Sequence, residues 1–467
     1  FGDFVRSPFF NKREAVIKLF DLISKYSPEY TSSALKKENI YKKIFPGKKY
    51  NEQTLRSRMS ELSALIKTFM IEVNFKEDIF YQKKKYTKEL VKRRKFDLAE
   101  RSISETDEFL KNSHQNKEIS DLNFLYSKRV NVDNYISLMH AKDCNIEAMG
   151  KASEQGEFLI HNFLLEVLAC NSDVICYEIE TKKKFEDSYV KSFFEKFDFE
   201  GYINLLKEKN YRFYPIIAVY YYGNLAQNHP DSERYFYELK NLVYEYHNQF
   251  SKTELSNYWV MLSNSAYTNF IKYGTKFKLE GHEVNKFFID NNLYDENNPF
   301  SVSGYQNIAV NALNVGDLDW GEEFLEKFKN NFLPELIDSR YHYCKAIFLF
   351  EKKKFEDAIE NLSKVKFTDW NIKLEIRLNY LKNYYELSMS EQVFSLIDSF
   401  KHFDSNNPDI APEYMDEKIK NTIRYISKIS NAKFGGKQLD YAAYKEMEDT
   451  RNVLYKKWIL EKMKELI

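Results

Sequence analysis

The feature that most constrains this chain is a pair of small residues inside an otherwise bulky and charged stretch. In AIFLFEKKKFEDAIENLSKV, residues 346–365, Ala346 and Ala358 stand twelve positions apart, with the large side chains of Leu349 and Phe355 between them. Two antiparallel helices approach closely only where a side chain is small, and large neighbours then fill the flanking space. The stretch therefore predicts a helical hairpin that crosses at Ala346 and Ala358.

The same spacing recurs on both sides of this stretch. Ala309 and Gly321 are again twelve positions apart, and Leu381 and Val393 fill the matching positions further on with larger side chains. The second members, Gly321, Ala358 and Val393, follow one another after 37 and then 35 residues. A period of this length indicates helical hairpins that bury their apolar faces against neighbouring hairpins.

This pattern resembles the tetratricopeptide repeat, a helix–turn–helix unit of about 34 residues with small residues in these positions. Residues 339–370 match it well, residues 302–333 fairly and residues 374–405 weakly. The resemblance implies a right-handed α-solenoid whose concave face binds a protein or peptide partner. A generic helical bundle is the alternative architecture.

Composition favours helices along the whole chain. Glycine (13 residues) and proline (9) are scarce among 467 residues, whereas β-hairpins and phosphate-binding loops both need glycine. We expect an all-α protein with a trihelical, winged-helix-like module at 1–75, a basic connector with helical pairs at 76–210 and the tetratricopeptide-like solenoid at 211–467. Loops are predicted at 295–304 and 402–413.

The N-terminal module carries a second resemblance. Asn51 is a suitable N-cap for an amphipathic helix that follows it. The segment IFPGKKYNEQTLRSRMSELSALI is similar to the winged-helix half of bacterial transcriptional activators that also carry tetratricopeptide-like repeats. The residues that carry this similarity are Phe45, Pro46, Leu55, Arg56, Ser60 and Leu62.

This second resemblance implies a recognition helix that reads DNA. Gln53, Arg56 and Arg58 would line its exposed side, and Lys48 and Lys49 would reach phosphates. A wing also needs two strands and a tight turn, but IEVNFKEDIFYQKKKY, which follows, has no glycine and no hairpin signal. A trihelical module that docks on a protein is therefore the alternative.

Charge is unevenly spread, although the formal net charge is zero. Residues 1–100 hold 23 Lys and Arg against 13 Asp and Glu, so the rest of the chain is negative by ten charges. In the densest basic stretch, KKKYTKELVKRRK at 83–95, Lys92, Arg93 and Arg94 are candidate phosphate contacts. The alternative is a solvated helix face whose aliphatic stems pack on neighbouring residues.

The sequence contains no signature of catalysis or of a bound cofactor. GxGxxG, GxxxxGK[ST], HExxH and GxSxG are all absent. His140 and Cys144 are four residues apart, but no further zinc ligand follows at a diagnostic spacing. The four cysteines, which include Cys170, Cys176 and Cys344, form no disulfide framework and are expected to be reduced and mostly buried. We predict no catalytic residue, cofactor or metal.

These patterns together predict where the protein is located and what it does. The most apolar runs, such as FLIHNFLLEVLAC, are too short for a membrane span, and no signal peptide is visible, so a cytoplasmic protein without membrane insertion is expected. Composition suggests a bacterial source. The primary prediction is a non-enzymatic adaptor or scaffold that binds a protein partner. The alternative is a transcription regulator that contacts nucleic acid through its basic N-terminal part, and an enzyme of unrecognised type is the third reading.

Overall fold

The chain is α-helical along nearly its whole described length. The structure, a computed structural model, describes residues 1–181, 183–229, 232–294, 300–331, 334–366, 370–406 and 413–467. Within these ranges it contains 24 α-helices, one 3-10 helix and no β-strand, which confirms the predicted all-α fold. The chain divides into two compact units, Phe1–Cys170 and Asn171–Ile467.

The first unit begins with three helices around a common apolar core. Val16 of α2, Ile40 of α3 and Leu55 of α4 are buried in this core. Asn51 caps α4 as predicted, because its side chain accepts a hydrogen bond from the Thr54 N–H at 2.8 Å. The helices of the first unit are α1 (Gly2–Arg6), α2 (Glu14–Ser24), α3 (Lys37–Ile44), α4 (Glu52–Glu77), α5 (Ile79–Lys92), α6 (Phe96–Gln115), α7 (Asp121–Ala141), α8 (Asn145–Gly150) and most of α9 (Ala152–Thr181).

Helix continues where a wing would require strands. α4 runs on to Glu77, and Asp78 caps α5 by accepting a hydrogen bond from the Tyr81 N–H at 2.7 Å. Residues 71–86, all of them described, therefore contain no strand. The three-helix core is followed by two further helices, α5 and α6, that pack on each other and on α7.

The second unit is a succession of helical hairpins followed by three closing helices. Its helices are α10 (Tyr189–Lys196), α11 (Phe199–Glu208), α12 (Tyr214–Asn228), α13 (Glu233–Tyr246), α14 (Lys252–Tyr273), α15 (Thr275–Asp290), α16 (Val302–Val315), α17 (Leu318–Phe328), α18 (Pro334–Glu351), α19 (Phe355–Ser363), α20 (Trp370–Glu386), α21 (Ser390–Asn406), α22 (Glu413–Gly435), α23 (Tyr441–Asp449) and α24 (Lys456–Leu466). From α11 to α22 each helix packs on the next one, and helices two positions apart also pack on each other, such as α12 with α14 and α16 with α18.

We call α12, α14, α16, α18 and α20 the first helices of the hairpins, and α13, α15, α17, α19 and α21 the second helices. The loops predicted at 295–304 and 402–413 lie partly outside the described residues. Their described edges are helical, since α16 begins at Val302 and α21 extends to Asn406.

The same turn closes three successive hairpins. In each, a residue with left-handed φ ends the first helix, and the next N–H donates to the carbonyl five residues earlier, which is a Schellman motif. The left-handed residues are Gly316, Lys353 and Ser388, with φ of 86°, 59° and 59°. The donors and acceptors are Asp317 and Ala312, Lys354 and Leu349, and Met389 and Tyr384, at 3.0, 2.8 and 2.9 Å. These turns repeat at intervals of 37 and 35 residues, as Gly321, Ala358 and Val393 do.

Replacing Ala358 by leucine tests whether this position lies at a tight helix crossing. Ala358 is 0% exposed, so we expect Ala358→Leu to overpack the α18–α19 hairpin and lower the free energy of unfolding by about 1–3 kcal/mol. Ser363→Leu on the same helix is the control, because Ser363 is exposed, and it should change stability by less than about 0.5 kcal/mol. Urea titration measures the free energy of unfolding of both variants. Equal losses of stability would contradict the placement of Ala358 at a helix crossing.

Candidate functional site

The small residues singled out in the sequence lie inside the hairpins. Ala309, Ala346 and Ala358 are buried, with exposed fractions of 0%, 1% and 0%. At Gly321 there is no room for a side chain, since a Cβ would lie 2.5 Å from the Phe348 ring. The flanking residues of the α18–α19 hairpin are Leu349, which is buried, and Phe355, which is half-buried with its ring 5.4 Å from that of Phe350.

Neighbouring hairpins are joined by polar contacts that also recur. Arg340 of α18 donates to the Gln306 side chain of α16, and the Tyr343 hydroxyl of α18 donates to Glu375 of α20 at 3.0 Å. From Gln306 to Tyr343 is 37 residues and from Arg340 to Glu375 is 35, the same intervals as before. Equivalent positions of successive hairpins therefore meet in equivalent ways.

Two first helices present an open face without charged side chains. On α14, Val260, Tyr267 and Ile271 are 59%, 67% and 71% exposed. On α16, Asn307 and Asn314 are exposed. We call the exposed side chains of α14 from Val260 to Ile271, together with those of α16, the first-helix face. These three apolar side chains lie on one side of α14.

The chain's own helices cover the corresponding faces on both sides of this region. On the N-terminal side of α14, Asn171 of α9 donates to Asn224 of α12 at 2.8 Å, and Ser172 of α9 donates to Gln227 of α12 at 3.3 Å. Near the C-terminal end, α24 lies against α20, where Asn379 donates to the Tyr455 hydroxyl at 3.2 Å. The first-helix face is thus left open at α14 and α16.

A lysine is enclosed where α24 meets α18 and α20. Lys382 is 5% exposed, and its Nζ lies 3.8 Å from the centre of the Phe350 ring and 4.2 Å from that of Tyr455. Burial lowers the pKa of Lys382 to about 8, although Glu351 and Glu386 oppose this change. Sequence reasoning missed this residue, because its aromatic neighbours are far away along the chain.

The residues implied as DNA contacts lie mainly around the start of α4. Lys48, Lys49 and Gln53 are exposed, and Arg56 is exposed but paired with Glu52 at 3.0 Å. Arg58 is placed differently, since its side chain is 15% exposed and pairs with Glu61 at 2.9 Å. Arg58 is therefore the least accessible residue of the group.

The basic stretch forms the end of α5 and the turn after it. Lys92, Arg93 and Arg94 are exposed, and Arg93 pairs with Glu89 at 2.8 Å. Arg94 adopts φ of 56° and its guanidinium lies 5.9 Å from the Phe96 ring. No ion pair, hydrogen bond or ring contact between described residues joins this group to Lys48 or Lys49.

The cysteines and histidines do not converge on a site in the described part of the chain. No three His, Cys, Asp or Glu side chains there are arranged to hold a metal ion. His140 bonds to Asn145 through Nδ1 at 2.8 Å, away from Cys144. The cysteines are free, but the expectation that most are buried is wrong, because only Cys344 of the four is buried.

One helical stretch, Asn145–Glu178, is long and apolar enough to cross a membrane, judged by length and composition across the described residues. The sequence expectation that no run is long enough was therefore too strict. Its most apolar 18 residues are 44% buried, and Leu164, Leu165 and Leu168 are among the buried residues. Core helices of soluble proteins pass the same test, so this helix alone does not place the protein in a membrane.

No family model matches the chain, and no curated protein or solved structure shows a significant match to it.

The enclosed lysine predicts a pH-dependent stability difference. Since the pKa of Lys382 is about 8 in the folded protein and 10.5 in an unperturbed lysine, the unfolded chain binds more protons between these values. The cost of the buried ammonium is fully present below pH 8 and is relieved as the pH rises towards 10.5. We expect Lys382→Met to be more stable than the wild type at pH 7, and this advantage to shrink by about 3 kcal/mol by pH 10.5.

Urea titration from pH 7 to 10.5 measures this difference. Lys364→Met is the control, because Lys364 is exposed and pairs with Glu360 at 2.8 Å. A wild-type curve that stays parallel to that of Lys382→Met would show that the Lys382 ammonium is not destabilised.

Proposed function

We propose that this chain is a non-enzymatic, tetratricopeptide-like α-solenoid that acts as an adaptor or scaffold by binding a protein partner. Support comes from the hairpin contacts, turns and small residues that all repeat at 37 and 35 residues, since stacked hairpins of this kind offer an extended groove. A cytoplasmic, bacterial protein remains the expectation from composition.

The observation that carries the proposal is the exposed and uncharged first-helix face. Charged residues make up 30% of the chain, yet Val260, Tyr267 and Ile271 are more than half exposed on one helix with no charged side chain between them. Exposed apolar side chains that lie together on one side of a helix are typical of a binding surface. Protein interfaces are instead depleted of charge at their centres and enriched in tyrosine.

Charged substitutions on this face test the proposal. We expect Val260→Asp combined with Tyr267→Asp to reduce recovery of the stoichiometric partner from the native host at least tenfold, because binding would bury unpaired carboxylates. Both positions are exposed, so the fold should tolerate the change, which circular dichroism checks. Quantitative mass spectrometry of the captured proteins gives the measurement.

Leu279→Asp provides the matched control for this experiment. Leu279 is 50% exposed on α15, a second helix, so it has the same chemistry outside the first-helix face. The control should recover as much of the partner as the wild type does. Equal recovery by the wild type, the aspartate double variant and the control would count against the first-helix face as the binding surface.

A DNA-binding regulator is the second candidate function. It is favoured by the exposed Lys48, Lys49 and Gln53 beside the start of α4, whose buried Leu55 and Leu62 hold the helix on the three-helix core. The absence of strands at 71–86 leaves a DNA reader without a wing. This weakens the similarity to winged-helix activators and makes a protein-docking module the competing use of the same helices.

Salt-dependent binding of the full chain to duplex DNA tests this second function. If Lys48 and Lys49 contact phosphates, Lys48→Ala combined with Lys49→Ala should weaken binding and reduce the slope of log affinity against log salt by about 2. Fluorescence anisotropy measures both. Lys183→Ala with Lys184→Ala is the control, since these adjacent lysines are also exposed. An unchanged slope in the first variant would exclude the contact.

A further inference from the structure

A cavity of about 160 Å³ lies among α11, α12 and α13 of the second unit. Its buried lining comes from Ile203 of α11, Tyr214 of α12 and Leu242 of α13. Asn204 and Glu245 also line it and are exposed, so the cavity opens to solvent. Its size suits a molecule of about six heavy atoms, because a cavity of about 150 Å³ holds one benzene molecule.

Two carboxylates of one helix line this cavity. Glu238 and Glu245 are seven residues apart on α13. Seven residues make two helical turns, so the two side chains lie on one side of α13, roughly 10 Å apart along its axis. The buried Leu242 lies between them and lines the cavity as well. The wall that α13 provides is thus acidic at both ends and apolar in the middle.

Neither carboxylate is neutralised by a close ion pair within the described part of the chain. The Arg234 guanidinium is 3.9 Å from Glu238, and it is shared with Glu200 of α11 at 4.0 Å. Glu245 is exposed and makes no ion pair with any residue that the structure describes. Both carboxylates can therefore accept hydrogen bonds from a cationic ligand.

Tyrosine rings accompany both carboxylates. Tyr214 and Tyr246 line the cavity near Glu245, with ring centres 6.4 Å apart and ring planes at 81°. Tyr222 lines it near Glu238, and burial together with that carboxylate raises the pKa of Tyr222. Burial, with Tyr246 and Tyr222 nearby, raises the pKa of Tyr214 to about 12. These phenols are neutral at pH 7, and the faces of such rings attract cations.

We propose that this cavity binds a short linear diamine, with one ammonium group at Glu238 and the other at Glu245. The site goes beyond the proposed adaptor function and does not depend on it, because the first-helix face contains none of these residues. Ammonium–carboxylate hydrogen bonds are about 2.8 Å long, so carboxylates roughly 10 Å apart leave about 5 Å between the two nitrogens. A chain of three or four methylenes spans this distance and would lie on Leu242 and Ile203.

Other classes of ligand fit the same lining less well. One metal ion cannot bind carboxylates two turns apart, since even calcium holds its ligand oxygens within about 2.6 Å. A monoamine would make only one of the two contacts, and an anion would meet two like charges. Lys207 is the one basic side chain among the described residues that line the cavity. It is exposed, so its ammonium can extend into water.

Calorimetric titration of the full-length protein with diamines of two to six methylenes tests the proposal. We expect the affinity to peak at 1,3-diaminopropane or 1,4-diaminobutane. Butylamine should bind about tenfold more weakly, because it makes only one ammonium–carboxylate contact. Equal binding of butylamine, an affinity that changes steadily with chain length, or no binding at millimolar diamine would overturn the proposal.

Variants with one carboxylate replaced test which residues bind. Glu238→Gln and Glu245→Gln should each weaken 1,4-diaminobutane about tenfold, because each removes one charged acceptor. Glu208→Gln on α11 is the matched control, since Glu208 is exposed and does not line the cavity, and its affinity should equal that of the wild type. Circular dichroism checks the fold of all three. Equal weakening by all three would show a general attraction of cations to an acidic surface and would overturn the site.

The lysine distinguishes a diamine from an amino acid of the same length. If two ammonium groups bind, 4-aminobutanoate should bind about tenfold more weakly than 1,4-diaminobutane, because its carboxylate would lie beside a glutamate. Lys207→Gln should bind the diamine at least as tightly as the wild type, since it removes a repelling charge. Tighter binding of 4-aminobutanoate, lost in Lys207→Gln, would show that the cavity takes an amino acid and would overturn the proposal.

Discussion

The close approach of paired helices at small side chains is the contact on which the second unit depends. A Cβ at Gly321 of α17 would lie 3.1 Å from Ala312 of α16, and one at Gly281 of α15 would lie 3.5 Å from Ala266 of α14. Once a small residue fixes which side of a helix faces its partner, the helical period fixes the opposite side. Val260, Tyr267 and Ile271 lie roughly 100° to 140° around α14 from Ala266, and that is why they are exposed.

The turns that join the two helices of three successive hairpins have the same geometry. Two of the three left-handed residues that end first helices are Lys353 and Ser388, and only Gly316 is the glycine usual at this position. A non-glycine residue with left-handed φ is unfavourable in isolation. The same turn nevertheless also follows α5 and α7, at Arg94 and Asp143, so it is a common helix end in this chain and not a feature of these hairpins alone.

Local pattern was enough to predict the parts of the structure that depend on neighbouring residues. The helical class followed from the scarcity of glycine and proline, and the Asn51 cap followed from one side chain at the head of an amphipathic run. The sequence has no hairpin signal for a wing, and in the structure residues 71–86 form the end of α4 and the start of α5. The lack of charged residues in α12 and α16 was visible in the sequence, but the exposure of Val260, Tyr267 and Ile271 on α14 was not.

Contacts between distant residues were beyond local pattern. The cover on α12 depends on Asn171 and Asn224, which are 53 residues apart, and the contact of α20 with α24 joins Asn379 to Tyr455 across 76 residues. In the sequence, Lys382 is one of 70 basic residues. Its burial follows from Phe350 of α18 and from Tyr455, the residue just before α24, whose rings the fold brings to it.

The exposed side chains of α14 lie in the interior of the succession of hairpins and not at one of its ends. In a stack of hairpins, a terminal helix exposes apolar side chains simply because it lacks a neighbour, and such ends need a cover. Here α9 and α24 supply that cover, whereas α14 packs on α12, α13 and α15 and is not a terminal helix. Its exposed Val260, Tyr267 and Ile271 do not result from a missing hairpin. α14 keeps these large apolar side chains exposed although it packs on three other helices, and the proposed partner would cover them.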